Sequence, residues 1–426
     1  MDLTTIVQGL LEHFLSEGDL PLDVGCAERV VRGKMLALGL LVLKKHFQGR
    51  KLGDEGSSCR CVCGGRRKFA GYRQKKVVTW LGQLPLDRAY YHGRDCGGSS
   101  RPYDQRVGLC SQAASPGVAK AACLLGIEVP FAQAQSMLFE LCGIVLSEST
   151  LSRLTYRAGA KADEIEQEDA RRKEDWSVPE DLPGGGPVVG RLYNSADGTM
   201  VHTLEPWREV KTHVCYWKDA QENHQARYRC RLEGIEAFVA HAFALSSRGG
   251  LDKCRQSVLI GDGAAWIWDR LGPVFDEAVQ IVDWYHASEH VWSCAKAVYG
   301  EGTPVCQSWG DAKETLLWNG RRKRLIEELQ SEHDRLRSAS KRAALQALVT
   351  CLNNQGSRLD YPVFRDQGLD IGSGTVESAC RHVVQSRMKR AGTRWSLPCA
   401  QAVLSLRCCR LNGQGDTFWN ARPLAA

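Results

Sequence analysis

Three acidic residues, far apart in the 426-residue sequence, stand in settings that suit metal chemistry. Asp197 and Asp262 each follow a short apolar stretch and are each followed directly by a glycine. Glu377 stands near the start of a predicted helix, just after Gly372-Ser373-Gly374. Mg²⁺ and Mn²⁺ prefer oxygen ligands, and two such ions together can promote cleavage of a phosphodiester. We predict that the three carboxylates converge and hold two Mg²⁺ or Mn²⁺ ions.

Each of these acids also has an ordinary structural explanation. An Asp-Gly pair after a strand is most often a turn, and a glutamate near a helix start is favoured by the helix dipole. The small residues beside each acid favour a site, because they allow close approach of a metal and a phosphate. Residue types alone therefore leave both explanations open.

Two histidines and a fourth acid form a group of accessory candidates. His286 and His290 fall on one face of a predicted helix, where they could contact phosphate, orient an acid or transfer a proton. Packing or capping is the alternative role for both. Asp283 ends a predicted strand as the other acids do, and it is the reserve candidate for the metal site.

Cysteine and glycine dominate a segment with two cysteine knuckles joined by a predicted hairpin. Such knuckles are typical of a zinc ribbon, which binds its ion with four Cys or His ligands. The possible Zn²⁺ ligands are Cys61, Cys63, His92 and Cys96, with Cys59 as an alternative to Cys61. The usual two-residue gap between paired ligands is missing in both knuckles, so a ribbon fold that has lost its metal remains an alternative.

Two sets of basic residues are candidates for contacts with DNA. Gly143 separates two predicted short helices, a pattern typical of a helix-turn-helix, with Ser147 as the expected N-cap of the second. That second helix would present Arg153 and Arg157 to DNA. The other set follows Glu377: Arg381, Arg387, Lys389, Arg390 and Arg394. Plain helix packing and a solvated helix face are the respective alternatives.

The composition is that of a soluble globular protein with a mildly basic balance. The net charge is +7 and the isoelectric point is about 8.6, which permits a nucleic-acid partner without requiring one. The N-terminal residues lack a secretion-signal pattern, so we expect most of the 18 cysteines to be buried thiols of a reducing cytoplasm. The apolar run 35–43 is too short to cross a membrane. We therefore expect a cytoplasmic protein, associated with the nucleoid, and no membrane partner.

These residues must be positioned by a chain of several domains. Apolar runs that alternate with helical patterns predict an α+β or α/β fold after a Pro/Gly-rich linker at 182–187. The charged residues before the linker, from 161 onward, predict a solvated helix. The expected order of segments is a helical region (1–53), a zinc-ribbon-like segment (54–110), a helix-turn-helix region (111–182), a core (188–302), an all-helical insertion (303–365) and the completion of the core (366–426).

Five blocks of sequence resemble the ISKra-type insertion-sequence transposases of bacteria. The blocks are SADGTM (195–200), WREVK (207–211), GDGAAWIW (261–268), DWYHASEH (283–290) and GSGTVESAC (372–380), followed by RWS at 394–396. The resemblance implies a ribonuclease-H-like mixed sheet flanked by helices, with a helical insertion before the third acid. It also implies DDE chemistry, in which Asp197, Asp262 and Glu377 match the family acids.

On that resemblance, the expected partners are the terminal inverted repeats of a mobile element, its target DNA and further copies of the chain. Water would attack a phosphodiester at the element end, and the freed 3′ hydroxyl would then attack the target. Two alternatives remain at this stage. One is a DNA-binding protein derived from a transposase that has lost transposition, and the other is a nuclease without strand transfer.

Overall fold

A computed structural model describes residues 23–61, 63–94, 97–109, 113–171, 190–275 and 277–420, together with residues 4–5, 8–9 and 11–12. The chain divides into two compact units, residues 1–155 with 419–426, and residues 156–418. The linker predicted at 182–187 lies outside the described residues, as do most of residues 1–22 of the predicted helical region 1–53.

The first unit contains a four-stranded antiparallel sheet in which the strands are neighbours in chain order. Its elements are α1 (Val24–Phe47), β1 (Ser58–Arg60), β2 (Arg66–Thr79), β3 (Gly82–His92), β4 (Ser99–Ser100), α2 (Pro102–Val107), α3 (Pro116–Gly126) and α4 (Phe131–Cys142). The predicted hairpin is β2–β3, which turns tightly because Thr79 pairs with Gly82, a residue with φ of 121°. Leu84 and Leu86 alternate with exposed residues along β3 and reach the core of this unit.

The division between the units falls inside helix α5 (Glu148–Arg171). Ser147 caps this helix as expected, since its hydroxyl accepts a hydrogen bond of 3.2 Å from the Thr150 N–H. The prediction of a short second helix is wrong, because α5 has 24 residues. The prediction of a solvated charged stretch is also wrong in part, since Glu166 and Asp169 are only 6% and 8% exposed.

The second unit is built on a five-stranded mixed sheet with the order β7-β6-β5-β8-β9. The strands are β5 (Arg191–Val201), β6 (Arg208–Lys218), β7 (His224–Arg231), β8 (Gln256–Gly261) and β9 (Val279–Val282). The first three form an antiparallel meander, whereas β8 and β9 run parallel to β5. The predicted α+β class is confirmed at this level.

Helices cover the sheet on both faces. Leu192 and Asn194 of β5 meet helix α6 (Ile235–Arg248) through Leu245 and Ser246. Because side chains alternate along a strand, Asp197 faces the other side of the sheet. Helix α12 (Gly374–Ala379) packs against β5 and β6 on that side, and the helix α14 (Leu397–Leu411) packs against β7.

The described chain between β9 and Glu377 is helical. It comprises α7 (Trp284–Tyr299), α8 (Pro304–Trp318), α9 (Arg322–Arg335), α10 (Ala339–Gln355), a 3₁₀ turn (Gly356–Leu359) and α11 (Tyr361–Asp366). After α12 come a π-helical turn (Cys380–Gln385), α13 (Ser386–Met388), α14 and α15 (Gly415–Asn420). Among the described residues, no helix has the length and apolarity needed to cross a membrane.

Candidate active site

Two of the three predicted acids meet at the edge of the sheet in the second unit. The parallel pairing of β5 with β8 ends at Ala196 opposite Gly261. Asp197 is the next residue of β5 and Asp262 directly follows β8, so their backbones are about 5 Å apart, the usual spacing of neighbouring strands. The expectation that Asp197 ends its strand is wrong, because β5 continues to Val201 by pairing with β6.

The Asp197 carboxyl lies in a partly buried and negatively charged environment. Burial raises its pKa, and the charges of Asp262 and Glu209 raise it further. Hydrogen bonds from the Gly198 N–H, at 2.6 Å, and from the Cys380 thiol act in the opposite direction. A bound cation would relieve this concentration of negative charge.

The Asp262 carboxylate also accepts a hydrogen bond of 2.9 Å from the Ala264 N–H. This is the turn geometry that the sequence left open as an alternative. The turn and a metal site do not exclude each other, because only one oxygen of Asp262 makes this bond.

Glu377 reaches the same side of the sheet through helix α12. Cys380 follows Glu377 by three residues and opens the π-helical turn after α12; it is buried, and its thiol donates a hydrogen bond to Asp197. The Glu377 carboxylate points to solvent and pairs with Arg381 at 2.5 Å. Within the described ranges, no group of three or more Cys, His, Asp or Glu side chains is arranged to hold a metal ion.

The reserve acid, Asp283, joins two backbone segments. One carboxylate oxygen caps α7 by accepting from the His286 N–H at 2.7 Å, and the other accepts from the Ser373 N–H. Ser373 belongs to the loop that leads to Glu377, and Asp283 is only 4% exposed. These contacts favour a positioning role, because both oxygens are already engaged.

A cavity of about 240 Å³ opens beside Asp262 and contains both predicted histidines in its lining. The rings of His286 and His290 meet edge to face, with centroids 4.8 Å apart. Partial burial and the charge of His286 lower the pKa of His290, while Glu289 and Asp262 raise it. His290 is therefore within electrostatic reach of the candidate metal site.

The helical insertion also reaches this cavity, through Gln355 at the end of α10. Its amide N–H donates a hydrogen bond of 2.9 Å to the carbonyl of Gly263, the residue after Asp262. Gly263 has a φ of 93°, a conformation that favours glycine. The insertion therefore helps to hold the Asp262 turn in place.

The predicted DNA-contacting residues differ in exposure. Arg153, which belongs to the first unit, is exposed, and Arg157, which belongs to the second unit, is partly buried. Arg381, Lys389, Arg390 and Arg394 are exposed on the second unit. Arg387 is buried, with its guanidinium 4.8 Å from the centre of the Trp395 ring, so its position is that of a core residue and not of a phosphate contact.

The possible zinc ligands lie in the first unit, and Cys96 is outside the described residues. The thiols of Cys61 and Cys63 are 2.9 Å apart, Cys59 is buried, and His92 is exposed at the end of β3.

The described cysteines form no disulfides. Cys123 and Cys215 are buried, as we expected for most of the cysteines, while Cys142 and Cys351 are partly buried.

Three residues near the candidate site were not among the predicted site residues: Cys380, Gln355 and Glu209. Cys380 lies inside the GSGTVESAC block, so its spacing from Glu377 was the available signal. Glu209 lies inside the WREVK block, and its charge acts on Asp197 from the neighbouring strand. Gln355 gives no local signal, because its partner is distant in sequence.

The second unit is thus a mixed α+β domain with two interacting carboxylates on neighbouring parallel strands. Comparison of the chain with models of known protein families and with curated proteins finds no match.

Proposed function

We propose that the chain is a DNA transposase of the DDE class, a polynucleotidyl transferase that depends on divalent metal. The observation that supports this most is the position of Asp197 and Asp262, one residue beyond the last parallel pair of β5 and β8. A ribonuclease-H-like core is part of the proposal. The mixed sheet, the helices on both of its faces and the helical stretch before Glu377 support it.

The residues present fit a site for hard cations. Asp197, Asp262 and Glu377 would hold Mg²⁺ or Mn²⁺ through carboxylate oxygens, which these ions prefer. Such a pair of ions would activate the attacking oxygen and stabilise the leaving one. The pKa of Asp197 is raised by burial and, to a smaller extent, by the charges of Asp262 and Glu209, and bound cations would offset both effects.

The protein's own residues would supply position and charge. Asp283 fixes the start of α7 and the loop before Glu377, and Gln355 fixes the turn at Asp262. Lys389, Arg390 and Arg394 offer exposed positive charge on the same unit for DNA phosphates. Arg381, which pairs with Glu377, is a further phosphate contact once that carboxylate binds metal.

Cleavage of DNA ends tests the proposal. Duplexes representing both ends of the encoding element are incubated with Mg²⁺ and with the variants Asp197→Asn, Asp262→Asn and Glu377→Gln. Each variant should lower cleavage at least 100-fold while leaving duplex binding within about threefold, because removing a metal ligand affects chemistry more than affinity. Glu301→Gln is the control, since Glu301 is an exposed acid between α7 and α8.

The other outcomes separate the alternatives. End binding without cleavage by the unaltered chain would favour a DNA-binding protein that has lost transposition. Cleavage without joining to a target plasmid would favour a nuclease. Normal cleavage by Glu377→Gln would show that the third acid is wrongly assigned.

A further inference from the structure

A basic groove lies on the second unit beside the candidate metal site. It has a volume of about 350 Å³. We call it the tryptophan groove, and its lining residues are His202, Trp207, Met388, Lys389, Arg390, Gly392, Thr393 and Arg394. The predicted phosphate contacts account for its cations but not for its aromatic side chains.

Trp207 is the most unusual residue of the groove. It is 56% exposed, and the His202 ring stacks on it with centroids 4.9 Å apart and planes 21° apart. An exposed tryptophan presents a large, rigid aromatic surface to water, and tryptophan is enriched at binding interfaces. The free face of the indole is available to a flat partner.

The loop that presents Trp207 is held in one conformation. The buried Thr203 hydroxyl lies 3.0 Å from the carbonyl oxygen of Glu205 and 2.8 Å from that of Pro206, and these two acceptors share its single O–H donor. The Leu204 N–H donates to the carbonyl of Trp395 at 2.8 Å, which ties the loop to the segment before α14. A ligand that stacks on Trp207 would therefore lose little affinity to ordering of the loop.

The charge of the groove selects the partner. The described lining includes three exposed cations, Lys389, Arg390 and Arg394, and no carboxylate. Cations follow a phosphate backbone, whereas an exposed aromatic ring stacks on a base of any identity. This combination fits a nucleic-acid strand with an unpaired base better than it fits an intact duplex, whose bases are already stacked.

The groove is also close to the candidate metal site. The charge of Lys389 acts on Cys380, the residue that bonds Asp197. Along β5, His202 follows Asp197 by five residues, which corresponds to roughly 16 Å. At 3.4 Å per base step, this distance is about five nucleotides of one DNA strand.

We propose that Trp207, backed by His202, is a stacking platform for one unpaired base of a DNA strand whose phosphates lie along Lys389, Arg390 and Arg394. The choice of DNA and the location of the base relative to the cut rest on the proposed function. Binding of a nucleic-acid strand itself does not, because it requires neither metal nor cleavage.

Single-strand binding tests the platform directly. The full chain is titrated, with chelator present, into a fluorescein-labelled 12-nucleotide single strand, and affinity is read by anisotropy. Trp207→Ala should weaken binding about 5- to 150-fold, the range expected for loss of one base–aromatic stack, and Trp207→Phe should recover most of it. Leu204→Ala is the matched control, because Leu204 is 70% exposed on the same loop but not aromatic.

The position of the base is tested with 2-aminopurine, whose fluorescence falls when it stacks. Placed in turn at single positions of an element end, it should be quenched most at about five nucleotides from the cut, and Trp207→Ala should abolish the quenching.

The cations of the groove are tested by the same anisotropy titration. Arg390→Ala should weaken strand binding several-fold, whereas Arg270→Ala, which removes an exposed arginine elsewhere on this unit, should not.

Several results would overturn the proposal. They are unchanged single-strand affinity in a folded Trp207→Ala protein, an equal loss for Leu204→Ala, or equally tight binding of a closed duplex without ends. Equal dependence on Trp207 for an RNA strand would overturn the assignment to DNA. If Trp207→Ala weakens strand binding but the unaltered chain never cleaves DNA ends, the stacking platform stands and the proposed function fails. If the unaltered chain cleaves DNA ends but Trp207→Ala binds the strand as tightly as it does, the proposed function stands and the platform fails.

Discussion

His213 is a buried histidine whose environment keeps it neutral. It has no exposed surface, its Nε2 lies 2.9 Å from the Ser246 hydroxyl, and its ring stacks on Phe275. Burial, together with the charge of Arg229, lowers the pKa of His213 to about 3. In the unfolded chain the same side chain has a pKa near 6.5.

The stability of the second unit should therefore depend on pH through His213. Because the folded pKa is the lower one, the unfolded state binds the extra proton between about pH 6.5 and 3, so stability falls as pH falls. Between pH 7.5 and 5, the unaltered chain should lose about 2 kcal/mol more unfolding free energy than His213→Gln. Urea unfolding at the two pH values measures this, and parallel losses in both proteins would contradict it.

The residues of the candidate site were predictable to different degrees. Asp197 and Asp262 carry a local signal, an apolar stretch and a following glycine, so sequence alone was enough to select them. Cys380, Glu209 and Gln355 reach the acids through strand register and tertiary packing. The burial of Arg387 was likewise hidden, because its partner Trp395 lies beyond a turn that the sequence does not specify.

At the scale of elements, the C-terminal half of α5 is held by buried ion pairs within the second unit. Arg231 of β7 is 2% exposed and bonds Asp163 and Glu166 of α5 as well as Glu233. Burial opposes ionisation of Glu233, but hydrogen bonds from His241 and Arg231 and the charge of Arg231 lower its pKa to about 2. Glu233 therefore stays ionised beside Arg231, and the ion pairs of Arg231 join the helix to the sheet.

Removing the central cation should be costly. Arg231→Ala leaves the buried Glu166 and the partly buried Asp163 and Glu233 together without their shared cation, and we expect a loss of about 3–5 kcal/mol in unfolding free energy. The control is Lys218→Ala, which breaks the exposed pair with Glu222 and should cost about 0–1 kcal/mol. Urea unfolding followed by tryptophan fluorescence compares the two, and equal costs would refute the importance of the cluster.

The sequence predicted most of the elements of the second unit but misjudged α5. Helix α6 and strands β8 and β9 follow from runs of apolar residues and their boundaries, which are local properties. The acids of α5 were interpreted as part of a solvated surface, because the charge pattern of a helix does not reveal which distant residues pair with it. Arg229, Arg231 and Arg248, which pair with those acids, stand more than 60 residues away in sequence.

At the scale of the whole molecule, the candidate site lowers stability when no metal is present. An acid whose pKa is raised on folding destabilises the fold at neutral pH, because its charged form is disfavoured there. In EDTA at pH 7.5, Asp197→Asn should therefore melt at the same temperature as the unaltered chain or at a higher one.

Metal should reverse this order. At 100 times its dissociation constant, Mn²⁺ should stabilise the unaltered chain by about 2–3 kcal/mol for each ion bound, and Asp197→Asn by much less. Calorimetric melting with EDTA and with Mn²⁺ measures both differences, and Glu301→Gln should follow the unaltered chain throughout. A destabilised Asp197→Asn in EDTA would mean that this carboxylate supports the fold.

The continuity of β5 links the candidate metal site to the tryptophan groove. The strand passes from Asp197 to Val201 without a break, and His202 follows directly, so the backbone itself sets the length between Asp197 and the His202–Trp207 ring pair. That length can change only in steps of two residues, because inserting one would turn every later side chain of the strand to the opposite face.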